Sequence, residues 1–139
     1  MAEVRDRWRR RLDDLVGKVR GWVEPEHWVT KPYPKKMRDI DGTVFEVPSP
    51  FIQKGPTRLL LDPIAYDAPG TEGVVDLYLM PTYDDTASLY LVDGRWQIHY
   101  IFPDQPAVAG IQQPEVMELS GKTINRVLDE IVAHAVPSV

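Results

Sequence analysis

Apolar residues near the start of the chain, Val4, Trp8, Leu12, Leu15, Val16, Val19, Trp22 and Val23, recur every three or four positions. On a helical wheel they fall within an arc of about 120°, with Arg10, Asp13, Asp14 and Gly17 opposite, so the spacing predicts an amphipathic helix over residues 4–23. Pro25 ends it. Gly17 and Gly21 each weaken such a helix by up to about 1 kcal/mol relative to Ala, so packing of Trp8 and Trp22 has to hold it. A second stripe, Ile124, Val127, Leu128, Ile131, Val132 and Ala135, predicts a helix over residues 122–135 with Ser120 or Thr123 as its cap.

Between the helices the period drops to two. Alternation predicts strands at residues 43–47, 51–54, 58–66, 73–80, 87–92 and 95–102. Asp93-Gly94 joins the last two as a two-residue hairpin turn, and Asp41-Gly42 marks a second, shorter hairpin. Residues 24–56 carry Pro25, Pro32, Pro34, Pro48, Pro50 and Pro56, which suit edge strands and turns. Residues 103–114, with Pro103, Pro106, Gly110 and Pro114, read as a connector. The expected fold is one α+β domain over residues 1–139: an N-terminal helix, roughly five to seven mainly antiparallel strands and a C-terminal helix, both helices on one sheet face.

Composition narrows the chemistry. The 139 residues include no cysteine, which excludes disulfides, thiolate nucleophiles and Cys-ligated metals. No apolar run reaches the roughly 18 to 20 residues of a membrane span, and Arg9, Arg10 and Arg11 precede no apolar leader core, so the expectation is a cytoplasmic protein without membrane contact. The net charge of −5 disfavours nucleic acid as a partner. That charge is uneven: residues 1–38 hold 11 Lys/Arg against 6 Asp/Glu, and the remainder is strongly acidic. Residues 31–38 interleave Lys31, Lys35, Lys36 and Arg38 with Tyr33, a basic, proline-rich edge that suits contact with nucleic acid or an acidic partner, or else blocks sheet aggregation.

Counting outward from Asp93-Gly94 sets the register. Val92 faces Arg95, Leu91 faces Trp96, Tyr90 faces Gln97, Leu89 faces Ile98 and Ser88 faces His99. Leu89, Leu91, Trp96, Ile98 and Tyr100 then line the core, with Val75, Leu77 and Leu79 from the strand before. The opposite face collects Asp76, Tyr78, Ser88, Tyr90, Gln97 and His99, joined by Arg58 and Asp62 if the strand around Leu60 pairs alongside. Tyr78, Tyr90, Gln97, His99 and Arg58 are therefore the candidate binding residues for a protein or small ligand, in a non-enzymatic binding domain that needs no cofactor.

A second reading makes this face catalytic. Asp62, Asp76 and His99 would converge on a divalent metal in a hydrolase. Leu61-Asp62-Pro63 and Val75-Asp76-Leu77 are similar to fragments of the PD-(D/E)xK nuclease pattern, but residues 87–92 lack that family's acid and lysine, so the resemblance implies an inactive relative at best. A third reading is homo-oligomerisation through surplus apolar surface, since four tryptophans load one small core. Other motifs lead nowhere: Gly121-Lys122-Thr123 lacks the first glycine of a phosphate loop, no serine sits in a G-x-S-x-G elbow, and His27, His99 and His134 share no metal spacing. The acidic loop 81–86 lacks the ligand spacing of a calcium loop.

Overall fold

The computed structural model describes residues 2–103, 107 and 109–135, so part of the predicted connector, at 104–106 and 108, lies outside the described residues. Helix α1 spans Ala2–Val23, and Pro25 turns the chain through one 3₁₀ turn, Glu24–Glu26. Strands β1 (Val29–Lys31), β2 (Pro34–Arg38), β3 (Val44–Pro48), β4 (Phe51–Lys54), β5 (Thr57–Ala68), β6 (Thr71–Met80), β7 (Asp84–Val92), β8 (Arg95–Tyr100) and β9 (Glu115–Glu118) come next in the chain, and α2 (Gly121–His134) closes the fold. Seven strands form one sheet in the order β1-β4-β5-β6-β7-β8-β9, with every neighbouring pair antiparallel. β2 and β3 form a separate hairpin. The expected α+β architecture is the one observed; the two edge strands β1 and β9 are additions to it, each only three or four residues long and so below the reach of a periodicity argument.

The core lies on one face of the large sheet. Leu59, Leu61, Val75, Leu77, Ala87, Leu89, Ile98 and Tyr100 meet Trp8, Leu12, Leu15, Val19 and Val23 of α1 and Ile124, Val127, Leu128 and Ile131 of α2 in a single buried cluster. Each fully buried aliphatic side chain contributes roughly 1.5–3 kcal/mol of transfer free energy, which gives α1 the packing that its two glycines require. The α2 start is built as a reciprocal cap: Thr123 N donates to Ser120 Oγ at 3.2 Å, and Ser120 N donates to Thr123 Oγ1 at 2.8 Å. Asn125 Nδ2 then donates to Trp22 O at 3.0 Å, tying α2 to the end of α1.

Two local features of β5 place Tyr66 and Lys35. A bulge at Ile64–Ala65 shifts the register of β5 against β6, so Tyr66 turns to the core side beside Trp8, with ring centroids 6.0 Å apart. Pro63 precedes it without cost. Leu61 N donates to Pro50 O at 3.0 Å and Leu61 O accepts from Ser49 Oγ at 2.9 Å, so alternate residues of β5 aim their backbone groups at the β4 side. β4 begins only at Phe51, opposite Leu60, and the missing N–H of Pro63 therefore faces no strand. Lys35 of the hairpin reaches that open edge and donates to Pro63 O at 2.6 Å.

Candidate functional site

The outer sheet face carries the residues that alternation assigned to it. The hairpin β7–β8 has the expected register, Ser88↔His99, Tyr90↔Gln97 and Val92↔Arg95. β6 continues it with Asp76↔Ser88 and Val74↔Tyr90, β5 adds Asp62↔Asp76 and Leu60↔Tyr78, and Arg58 lies opposite Met80. Asp62, Asp76, Ser88 and His99 thus form one row across four strands. Trp96 and Gln97 also lie as expected, with Trp96 packed on the core and Gln97 on the outer side.

The polar groups of this row already have partners. Lys35 Nζ donates to Asp62 Oδ1 at 2.6 Å, and Tyr78 OH donates to Asp62 Oδ2 at 2.7 Å. Ser88 Oγ donates to Asp76 Oδ1 at 3.0 Å. His99 Nε2 lies 3.3 Å from Gln97 Oε1, its ring 4.5 Å from that of Tyr90, and Arg58 sits 4.1 Å from the Phe51 ring centroid. Burial, and then the facing charge of Asp62, hold the Asp76 carboxyl above the usual range. Burial lowers the His99 imidazole and, with the Asp62 hydrogen bond, raises the Tyr78 phenol.

Two expectations for this face need correction. Tyr78 is not displayed: it is only 8% exposed, because its hydroxyl turns to Asp62 and the Tyr83 ring closes over it at 5.4 Å. Nor do Asp62, Asp76 and His99 converge. The two aspartates are directly opposed, but His99 lies two strands beyond Asp76, roughly 10 Å away, with Ser88 between them. Among the described residues no group of three or more His, Asp or Glu is placed to hold a metal ion.

A concavity lies elsewhere, along the proline-rich edge. A groove of about 450 Å³ runs between α1 and the segments that enter and leave the β2–β3 hairpin. Pro32, Tyr33, Pro34, Val47, Pro48, Pro50 and Val16 give it apolar walls, while Arg9, Asp13, Arg20 and Glu46 contribute charge. Its size is within the range of small-ligand pockets. The geometry comes from three short devices: the helical stripe Arg9-Asp13-Val16-Arg20, the Pro34↔Pro48 pair at the hairpin base, and Ser49 N donating to Tyr33 O at 2.7 Å. Tyr33 is held upright by Phe51, 5.3 Å away between centroids.

In contrast to the sheet face, part of this lining is uncommitted. Arg20 Nε donates to Glu24 Oε1 at 2.6 Å, and Arg9 reaches Asp6 only at 3.6 Å. Asp13 and Glu46 are exposed and make no ion pair among the described residues. None of the basic residues expected to mark this edge, Lys31, Lys35, Lys36 and Arg38, lines the groove; Lys35 is spent on Asp62 and Pro63, and the groove's arginines come from α1. Among the described residues no helix is long and apolar enough to cross a membrane. Comparison with protein-family models, curated proteins and solved structures finds no match.

Proposed function

We propose that this chain is a non-enzymatic binding protein whose ligand enters the groove between α1 and the proline-rich segment. The observation that carries the reading is the groove itself, an apolar concavity of about 450 Å³ with proline walls. Proline has no N–H and fixes its own φ, so Pro32, Pro34, Pro48 and Pro50 form stiff surfaces that lose little entropy on binding. They offer no backbone donors for strand addition, and recognition must come through apolar contact and the charged rim. The sheet face supports a binding role less well, because Asp62 is held by Lys35 and Tyr78, Asp76 by Ser88, and His99 lies against Gln97, so a ligand would have to displace those bonds.

The test is amide shift mapping with small neutral probes, indole and cyclohexanol, on wild type and on Val16→Trp, which fills the groove. Shifts clustered on Arg9, Val16, Thr30 and Tyr33, and abolished in the filled variant, are the expected result. A second variant, Tyr33→Ala, removes a half-exposed wall without touching the core and serves if Val16→Trp fails to fold. Shifts centred instead on Tyr90 and His99, or no shifts at all, would overturn the proposal.

A further inference from the structure

Two of the charged residues that line the groove stand at different levels of α1. Asp13, Val16 and Arg20 form one stripe of α1 and all three line the cavity. Seven residues separate the aspartate from the arginine, a rise of about 10.5 Å along the helix. Val16 lies between them on the apolar floor. A fully extended tripeptide spans roughly 10 Å.

We infer that the groove takes a short apolar peptide with free termini, lying along α1 with its ammonium at Asp13 and its carboxylate at Arg20. The inference rests on the groove reading and adds the class of ligand. Charge complementarity is what selects it. Asp13 is exposed and has no ion-pair partner among the described residues, and Glu46 on the opposite wall is likewise unpaired, so the lining offers a cation two carboxylates, offset in part by Arg9 one turn before Asp13. At the other end Arg20 spends its Nε on Glu24, and its planar guanidinium keeps further N–H donors for a carboxylate. Between the ends, Pro32, Pro34, Pro48, Pro50 and Val47 meet aliphatic side chains without asking for a hydrogen bond. A single-headed fatty acid fits less well, since Asp13 and Glu46 offset the positive charge of Arg9 and Arg20 and leave the rim without net attraction for an anion.

The experiment is a chemical cycle with Leu-Leu-Leu, its N-acetyl form and its C-terminal amide, titrated against wild type, Asp13→Asn and Arg20→Gln by groove amide shifts. The rim charges are solvent-exposed, so each end should matter modestly: capping either terminus weakens binding about two- to fivefold. Asp13→Asn should weaken the free peptide by a similar factor and leave the N-acetyl form unaffected, while Arg20→Gln does the same for the carboxylate and spares the amide. Equal binding of the free and capped peptides, or losses that do not match this pairing of residue with terminus, overturns the inference. If indole and cyclohexanol shift the groove but no leucine peptide binds, the ligand class is wrong and the groove reading stands. If neither probes nor peptides bind, both fall.

Discussion

Gly73 lies in β6 beneath the six-membered ring of Trp8, and a methyl group added there has nowhere to go. An ideal Cβ at this position would stand 2.4 Å from Trp8 Cζ3, 3.0 Å from Cη2 and 3.4 Å from Cε3, against the roughly 3.5–4.0 Å at which carbon atoms attract. The indole cannot step aside easily. It is 2% exposed, flanked by Tyr66 at 6.0 Å and Trp96 at 6.5 Å between centroids, and its Nε1 is 3.5 Å from Met37 Sδ. Overpacking of this kind costs about 1–3 kcal/mol, and replacing glycine returns about 0.4–1 kcal/mol by stiffening the unfolded chain. Gly73→Ala should therefore lose about 1–2 kcal/mol net, read as a lower urea midpoint at unchanged slope. The loss should shrink in a Trp8→Leu background, where the clash is gone, as a double-mutant cycle would register. Gly17→Ala and Gly21→Ala provide the opposite sign: nothing lies within 4 Å of either Cβ, so each should stabilise α1 by up to about 1 kcal/mol. A Gly73→Ala protein as stable as wild type would mean that α1 does not dock on β6 as described, and the groove that α1 walls would lose its basis.

Three further outcomes rest on the same geometry. Ser120→Ala removes one half of the reciprocal cap and should cost about 1 kcal/mol in the same urea assay, with the helix of residues 121–134 first to lose amide protection on hydrogen exchange. Asp76 has a folded-state pKa above its unfolded value, so wild type loses stability as pH rises from about 4 through the folded value, and Asp76→Asn should gain on wild type across that window and match it below; melting temperatures that stay parallel at every pH would refute this. Tyr90→Ala and His99→Ala should leave probe and peptide binding to the groove unchanged in a shift titration, since both residues lie on the outer face of the sheet.

How much of the fold and the groove was legible in the sequence depends on how far apart in the chain the cause lies. The β7–β8 register came from Asp93-Gly94, because a two-residue loop leaves only one pairing and every side chain then alternates. The helical stripes of α1 and α2 were equally local. The position of Tyr66 was not, since a one-residue bulge at Ile64–Ala65 reverses the facing and leaves no mark in the alternation. Tyr78 likewise reads as an outer-face residue, and it is buried by the turn of its hydroxyl to Asp62 and the return of Tyr83, a residue with φ of 59°, against its ring. The candidate groove needed three distant segments, around residues 9–20, 30–34 and 46–50, to meet. Its parts were visible as a proline-rich edge and as a stripe beside the α1 core face, but nothing in the spacing placed them together.

Disulfide capture tests the groove most directly, because the chain has no cysteine of its own and a single one can be installed at will. Thr30→Cys places a thiol in the groove wall, and Gln97→Cys places one on the outer sheet face. At exchange equilibrium in a buffer of cyclohexanethiol and mercaptoethanol with their disulfides, each capture releasing one small thiol, intact-protein mass spectrometry should find the groove cysteine carrying cyclohexanethiol well in excess over mercaptoethanol. The sheet-face cysteine should show no such preference, and adding Val16→Trp should abolish it at residue 30. Equal capture of the two thiols at both positions would contradict the claim that an apolar binding groove exists.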